Sequence, residues 1–147
     1  MEKATRIKAA FITVFTFLSS ALGILAIPFI LLVSLGIGDY FTGLVAAGYR
    51  KQEISSYKGL KGIIKKLMLL ILVAVGVAVD ILIGYTVSMG IDFKLNFIIG
   101  TLVCIWLIAN EIISILENIK DTGVKLPPFL LPLVENIKSQ VEDKGSK

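Results

Sequence analysis

Between Ala9 and Tyr49 the chain runs for 41 residues with a single charged side chain, Asp39. One helix of that length would extend about 60 Å, roughly twice the hydrocarbon thickness of a bilayer. The run therefore either crosses a membrane twice or forms one long, kinked and tilted helix. Two crossings give a helix from about Ala9 to Leu25, a tight turn near Gly23 to Ile27, and a second helix with Pro28 in its first turn, where an absent N–H leaves no bond unmade. That turn holds no polar side chain, so the single kinked helix stays open as the alternative.

The flanks of this run carry the cations. Lys3, Arg6 and Lys8 precede it against Glu2, and the belt RKQEISSYKGLKGIIKK, Arg50 to Lys66, sets six Lys or Arg against Glu53. Cytoplasmic loops of membrane proteins are rich in Lys and Arg, so both flanks are read as inside and an even number of crossings separates them. Ser19 to Ala21 could imitate a signal-peptide cleavage site, but apolar character continues to Ala47 and the segment is read as retained. The net charge of +4 is concentrated beside apolar runs, which points to an anionic membrane surface and away from nucleic acid. Arg50, Lys51, Lys58, Lys61, Lys65 and Lys66 are the expected membrane-surface cations.

Ser55 and Ser56 are placed to cap a helix that leads into a third crossing, about Gly62 to Ser88. On it Gly76, Asp80, Gly84 and Ser88 recur every four residues, a stripe of small and polar groups that lets another helix approach closely in lipid. Gly90 to Lys94 reads as a short outer loop. A fourth helix, about Leu95 to Asn118, passes through Trp106 and ends in NEIISILEN, where Glu111, Ser114 and Asn118 share a face with Asn110 beside them. Gly123, Pro127 and Pro128 then break the helix. Leu130, Leu133, Val134, Ile137 and Val141 keep helical spacing beyond, as expected of a short amphipathic helix on the inner surface.

The expected protein is thus an all-α integral membrane protein with four transmembrane helices in two hairpins, or three if the first helix is long and kinked, plus the amphipathic tail. Its organisation is a cytoplasmic N-terminus (1–8), a first hairpin (9–49), a basic cytoplasmic loop (50–66), a second hairpin (67–118) and a cytoplasmic tail (119–147). A composition 56% hydrophobic and 18% charged lies outside the range of soluble domains and agrees.

The chain has no histidine and one cysteine, Cys104, within an apolar run. A disulfide framework, a Cys or His metal site and imidazole acid/base chemistry are all excluded. No phosphate-binding loop, dinucleotide fingerprint or serine-nucleophile motif occurs, so neither an enzyme nor a cofactor is expected.

Asp39 and Asp80 lie within apolar helices, where an ionised carboxylate costs on the order of 3 kcal/mol and so faces protein or water rather than lipid. One reading makes each a hydrogen-bonded glue residue of a stable bundle. A sharper one sets Asp39, Asp80 and Glu111 against one another, or against copies of themselves in an oligomer, lining an aqueous lesion. Thr13, Thr16, Ser20 and Gly23 on the first helix, and Ser34, Gly38 and Thr42 on the second, add further seams and favour lateral self-association.

Five features in sequence resemble the phage holin family that includes the toxin-secretion holins of clostridial toxin loci. They are DYFTG (Asp39 to Gly43) with Ala46 and Ala47 after it, SSYKGLKGIIKK (Ser55 to Lys66), the lone Asp80, NEIISILEN (Asn110 to Asn118), and Gly123 with the Pro127 region beyond. The match covers roughly Pro28 to Pro128. It implies a protein of the bacterial cytoplasmic membrane that oligomerises and opens holes, releasing an endolysin or a large toxin as cargo without a specific binding site. Asp39, Asp80, Asn110, Glu111 and Glu117 match the family's recurrent polar positions. With Thr42, Gly43, Gly76, Gly84, Ser114 and Asn118 they form the candidate set for pore lining or oligomerisation. The only later methionines are Met68 and Met89, so a second start just downstream, common among holins, is not expected. A non-lytic membrane scaffold or transporter subunit is the alternative function.

Overall fold

A computed structural model describes residues 4–9, 12–13, 16, 23–53, 55–91 and 99–145. Most of the expected first crossing, and most of the expected outer loop, lie outside the described residues. Among those described every regular element is helical. A 3₁₀ turn at Gly23–Leu25 precedes α1 (Ala26–Tyr49), followed by α2 (Ser56–Ser88), α3 (Ile99–Asp121) and α4 (Leu130–Gly145). Gly23 takes φ +52°, a left-handed conformation suited to glycine, and Pro28 lies in the first turn of α1.

Local chemistry explains the ends of these helices. Ser55 caps α2 by accepting a bond from the Lys58 N–H at 3.3 Å. At its other end Gly90 adopts φ +83°, and the Ile91 N–H reaches back to the Thr86 carbonyl at 3.1 Å, closing a Schellman motif. α1 closes in the same way, with Gln52 N–H bonded to the Ala47 carbonyl at 3.0 Å, but there the left-handed position is Lys51 at φ +53°. A β-carbon in that conformation costs about 1–2 kcal/mol. Gly123, at φ +88°, ends α3.

The span from Gly23 to Tyr49, α2 and α3 are each long and apolar enough to cross a bilayer. The protein is therefore an all-α integral membrane protein. α3 is its hub, packing against α1, α2 and α4, whereas the backbones of α1 and α2 come close at few points. Leu25, Leu32, Val73, Cys104 and Leu107 form the buried core where α1, α2 and α3 meet. Cys104 is fully buried there as a small packing residue.

α2 runs antiparallel to α3 and makes its closest approach at Gly76. A β-carbon there would stand 2.9 Å from the Gly100 Cα, and one on Gly100 would stand 2.9 Å from Val77 Cγ2. One turn beyond Gly76, Asp80 accepts from the backbone N–H groups of Ile99 at 2.9 Å and Gly100 at 2.8 Å. Its carboxylate thus caps the N-terminus of α3 from another helix, satisfying two donors that no residue of α3 reaches and meeting the positive end of its dipole.

α4 folds back along α3. Val134 packs against Ala109 and Leu116, and Glu142 accepts a 2.7 Å bond from the Trp106 indole, so α4 ascends as α3 descends. Lys138 completes this contact with its ammonium 5.1 Å from the Trp106 ring centroid. The expected amphipathic helix is thus packed lengthwise on a spanning helix.

Gly76→Ala forces the two backbones apart, an overpacking defect of about 1–3 kcal/mol. Thermal unfolding in mild detergent should show a midpoint several degrees lower, while Gly62→Ala, whose β-carbon meets open space, leaves the midpoint unchanged. Equal midpoints for the two variants would refute this packing of α2 on α3.

Candidate functional site

One polar network ties α1, α2 and α3 together at the basic end of the bundle. Lys66 projects from α2 between an acid on each of the other two helices. Its Nζ donates to Asp39 Oδ2 on α1 at 2.8 Å and to Glu111 Oε2 on α3 at 2.5 Å. These groups are largely withdrawn from solvent, the Glu111 side chain most of all at 7% exposure. The second oxygen of Asp39 accepts from Asn118 Nδ2 at 3.1 Å, which also donates to Thr42 Oγ1 at 3.3 Å. Arg50 then donates to Asn118 Oδ1 at 2.9 Å and, through Nε and Nη2, to Asp121 Oδ2. No buried side-chain polar atom among the described residues lacks a partner.

Helical spacing accounts for this assembly. Asp39, Thr42 and Arg50 lie on the side of α1 that meets α3. Glu111 and Asn118, two turns apart, look back at them. Gly38 and Gly43 lie along this seam, and β-carbons there would make ordinary contacts at 3.7 Å from Ile115 Cδ1 and 3.6 Å from Asn118 Nδ2. On α2, Lys66 occupies the same face as Gly62, Val73 and Asp80; Lys58 shares that face but stays exposed, with its ammonium donating to the Glu53 carbonyl, and Lys61 and Lys65 are exposed.

Beside an apolar groove of about 250 Å³ between α1 and α2, two open clefts of more polar character meet at Lys66. One, about 320 Å³, lies between α1 and the start of α2 and is bordered by Gly43, Lys58 and Asn118. The other, about 380 Å³, opens toward α3 beside Lys65, Asn110 and Ser114. The triad of Asp39, Lys66 and Glu111 carries a formal charge of −1 where these clefts join. The described residues hold no cluster suited to a metal ion.

The candidate residues thus fall into three groups. Asp39, Thr42, Glu111 and Asn118 converge in the network, with Gly43 and Ser114 at its edge. Gly76 and Asp80 belong to the α2–α3 crossing, and Gly84 continues that stripe one turn further. Asn110 turns onto its own helix, donating to the Trp106 carbonyl at 3.1 Å, and Glu117 is exposed. Lys51, Lys58, Lys61 and Lys65 are exposed cations. Lys66 departs from that belt and points into the bundle because two carboxylates on neighbouring helices neutralise it. Asp121 was not among the candidates, and its signal was its place one turn after Glu117 and Asn118.

Removing Lys66 leaves Asp39 and Glu111 facing each other without a cation, a cost of order 2 kcal/mol at this partial burial. Lys66→Met should therefore lower the detergent unfolding midpoint more than Lys66→Met combined with Glu111→Gln. Additive losses from the two substitutions would show that the triad is not a coupled unit.

The profile of the bacteriophage holin family matches residues 16–139, most of the chain. An uncharacterized protein of Listeria monocytogenes is 40% identical over 119 residues, covering 79% of this chain and 77% of that protein. An uncharacterized 14.9 kDa protein of Clostridium perfringens is 31% identical over 128 residues, 87% of each chain. A probable holin of Bacillus phage phi105 is 28% identical over 117 residues, 80% of this chain and 78% of its own. No solved structure matches. Three apolar spans among the described residues and a match across most of the chain to a family of non-enzymatic membrane proteins lead to one assignment: the chain belongs to the bacteriophage holin family.

Proposed function

We propose that this protein is a holin that accumulates in the bacterial cytoplasmic membrane with both termini inside, self-associates and opens holes. An endolysin or a large toxin leaves through them as cargo. The observation that carries this reading is the family match over residues 16–139, and a relative named a probable holin supports it. The basic loop places Lys51, Lys58, Lys61 and Lys65 at the inner, anionic surface. Asp39, Thr42, Gly43, Asn110, Glu111, Ser114, Glu117 and Asn118 are the groups that govern assembly or meet water in the hole. Gly76, Asp80 and Gly84 form the seam that fixes the subunit.

The internal pairing of Asp39 and Glu111 through Lys66 favours a second reading, a stable non-lytic scaffold or transporter subunit whose acids serve as glue. Expression with a cytoplasmic muralytic enzyme separates the two. A holin gives sudden clearing of the culture that requires both proteins, with release of a folded cytoplasmic marker. Loss of membrane potential without marker release would indicate a small pore, and continued growth with the protein verified in the membrane would favour the scaffold. Asp39→Leu should delay or abolish lysis at equal membrane abundance. Unchanged timing would remove Asp39 from the mechanism.

A further inference from the structure

The two sides of α3 present opposite surfaces at the same depth. On one side lies α1, whose outward stripe of Ile27, Leu31, Ile37, Phe41, Val45 and Tyr49 is apolar along about 33 Å of helix, close to a full hydrocarbon thickness. Its one polar interruption, Ser34, bonds to the Ile30 carbonyl of its own helix at 2.8 Å. On the other side lies α4, seated on Ala109, Ile113 and Leu116, whereas α1 meets Ile115 and Asn118. Residues two apart on a helix point about 200° from each other, so α1 and α4 flank α3 on nearly opposite sides.

Depth follows from the contacts. Val45 lies beyond Gly43, which faces Asn118, and so belongs to the Arg50–Asp121 end of the bundle. Ser139 lies between Val134, packed on Ala109 and Leu116, and Glu142, bonded to Trp106. It therefore sits further into the bundle than Val45 by several turns of α3. Yet the outward face of α4 there carries Glu135, Asn136, Ser139, Gln140 and Lys144, all exposed, with Leu133 and Ile137 exposed along one edge of it. Hydrocarbon that covers Val45 on one side would reach the depth of these groups on the other.

We infer that the subunit is two-sided: the α1 stripe faces lipid acyl chains, and the outer face of α4 faces the water of the hole. This rests on the holin reading and names which surface of that subunit forms the wall. Charge and length both argue for these occupants. Acyl chains suit a stripe as long as the bilayer is thick, and they cannot solvate a carboxylate or ammonium at that depth.

The test uses the full-length protein with Cys104→Ala, carrying Val45→Cys or Ser139→Cys labelled with an environment-sensitive fluorophore. It is reconstituted in phospholipid vesicles that contain a folded fluorescent marker protein. Quenching by nitroxide-bearing acyl chains is compared with quenching by aqueous iodide. In vesicles that have lost the marker, Val45 should be quenched mainly by the lipid nitroxide and Ser139 mainly by iodide, with ratios differing severalfold. Iodide quenching at both sites would place the lower half of α1 outside the hydrocarbon and overturn the inference, as would lipid quenching at Ser139. Retention of the marker would instead reject the hole itself, and the Val45 ratio would still report whether α1 lies in lipid. Phe41→Cys and Asn136→Cys form a second pair should either label disturb folding.

Discussion

The bundle depends on one cation reaching two acids. The backbones of α1 and α2 come close at few points, and each is held chiefly by its contact with α3. Lys66 is the point where all three helices are tied by direct bonds, with Asp39 on one side and Glu111 on the other. Apolar contacts alone would fix this arrangement weakly in lipid, because acyl chains solvate Leu and Ile as well as a neighbouring helix does. A charge pair is different. Its only good partners at that depth are the two carboxylates, so it selects one rotation and one register of α2 out of many that are similarly apolar.

The second constraint is close approach at the opposite end. Gly76 against Gly100 brings the α2 and α3 backbones together, and Asp80 converts the bare N-terminus of α3 into a satisfied one. The two devices lie about three to four turns apart on α2. Together they define the crossing of the helix pair at both ends, which explains why the long apolar surface between them needs no polar contact.

Much of this was legible in the sequence. Helical class, membrane character, the end of α2 near Gly90, the Ser55 cap and the small-residue stripe all follow from local chemistry that a single segment carries. Spacing also gathered Glu111, Ser114 and Asn118 on one face. It could not supply the partner, because helical periodicity gives the direction of a side chain within its own helix and says nothing of which helix lies there. Lys66 was therefore grouped with Lys65 and Lys61 by composition, although its face is that of Val73 and Asp80. The same gap hid the role of Asp80 and the docking of α4. An amphipathic pattern fits a membrane surface and a helical neighbour equally well, and only the Trp106 indole reaching Glu142 distinguishes them.

If the subunit is two-sided and self-associates as proposed, the course of assembly follows from its two faces. In a flat bilayer a single copy cannot satisfy both faces: sinking the α1 stripe to Tyr49 drags the polar side of α4 toward hydrocarbon, and raising α4 into water exposes Phe41, Val45 and Tyr49. Two copies that turn their polar sides together shelter part of that surface, but the edges stay in lipid. Only a closed arrangement removes the edges, so the free energy gained per copy rises sharply at closure. Association of this kind stays incomplete at low density and completes abruptly once enough copies meet, without any change in the fold of each one. The polar network then matters for a reason beyond stability. By holding α1 and α2 rigidly on α3, Lys66 keeps the lipid face and the water face on fixed sides of the subunit, and a subunit that could swivel would have no side to turn inward.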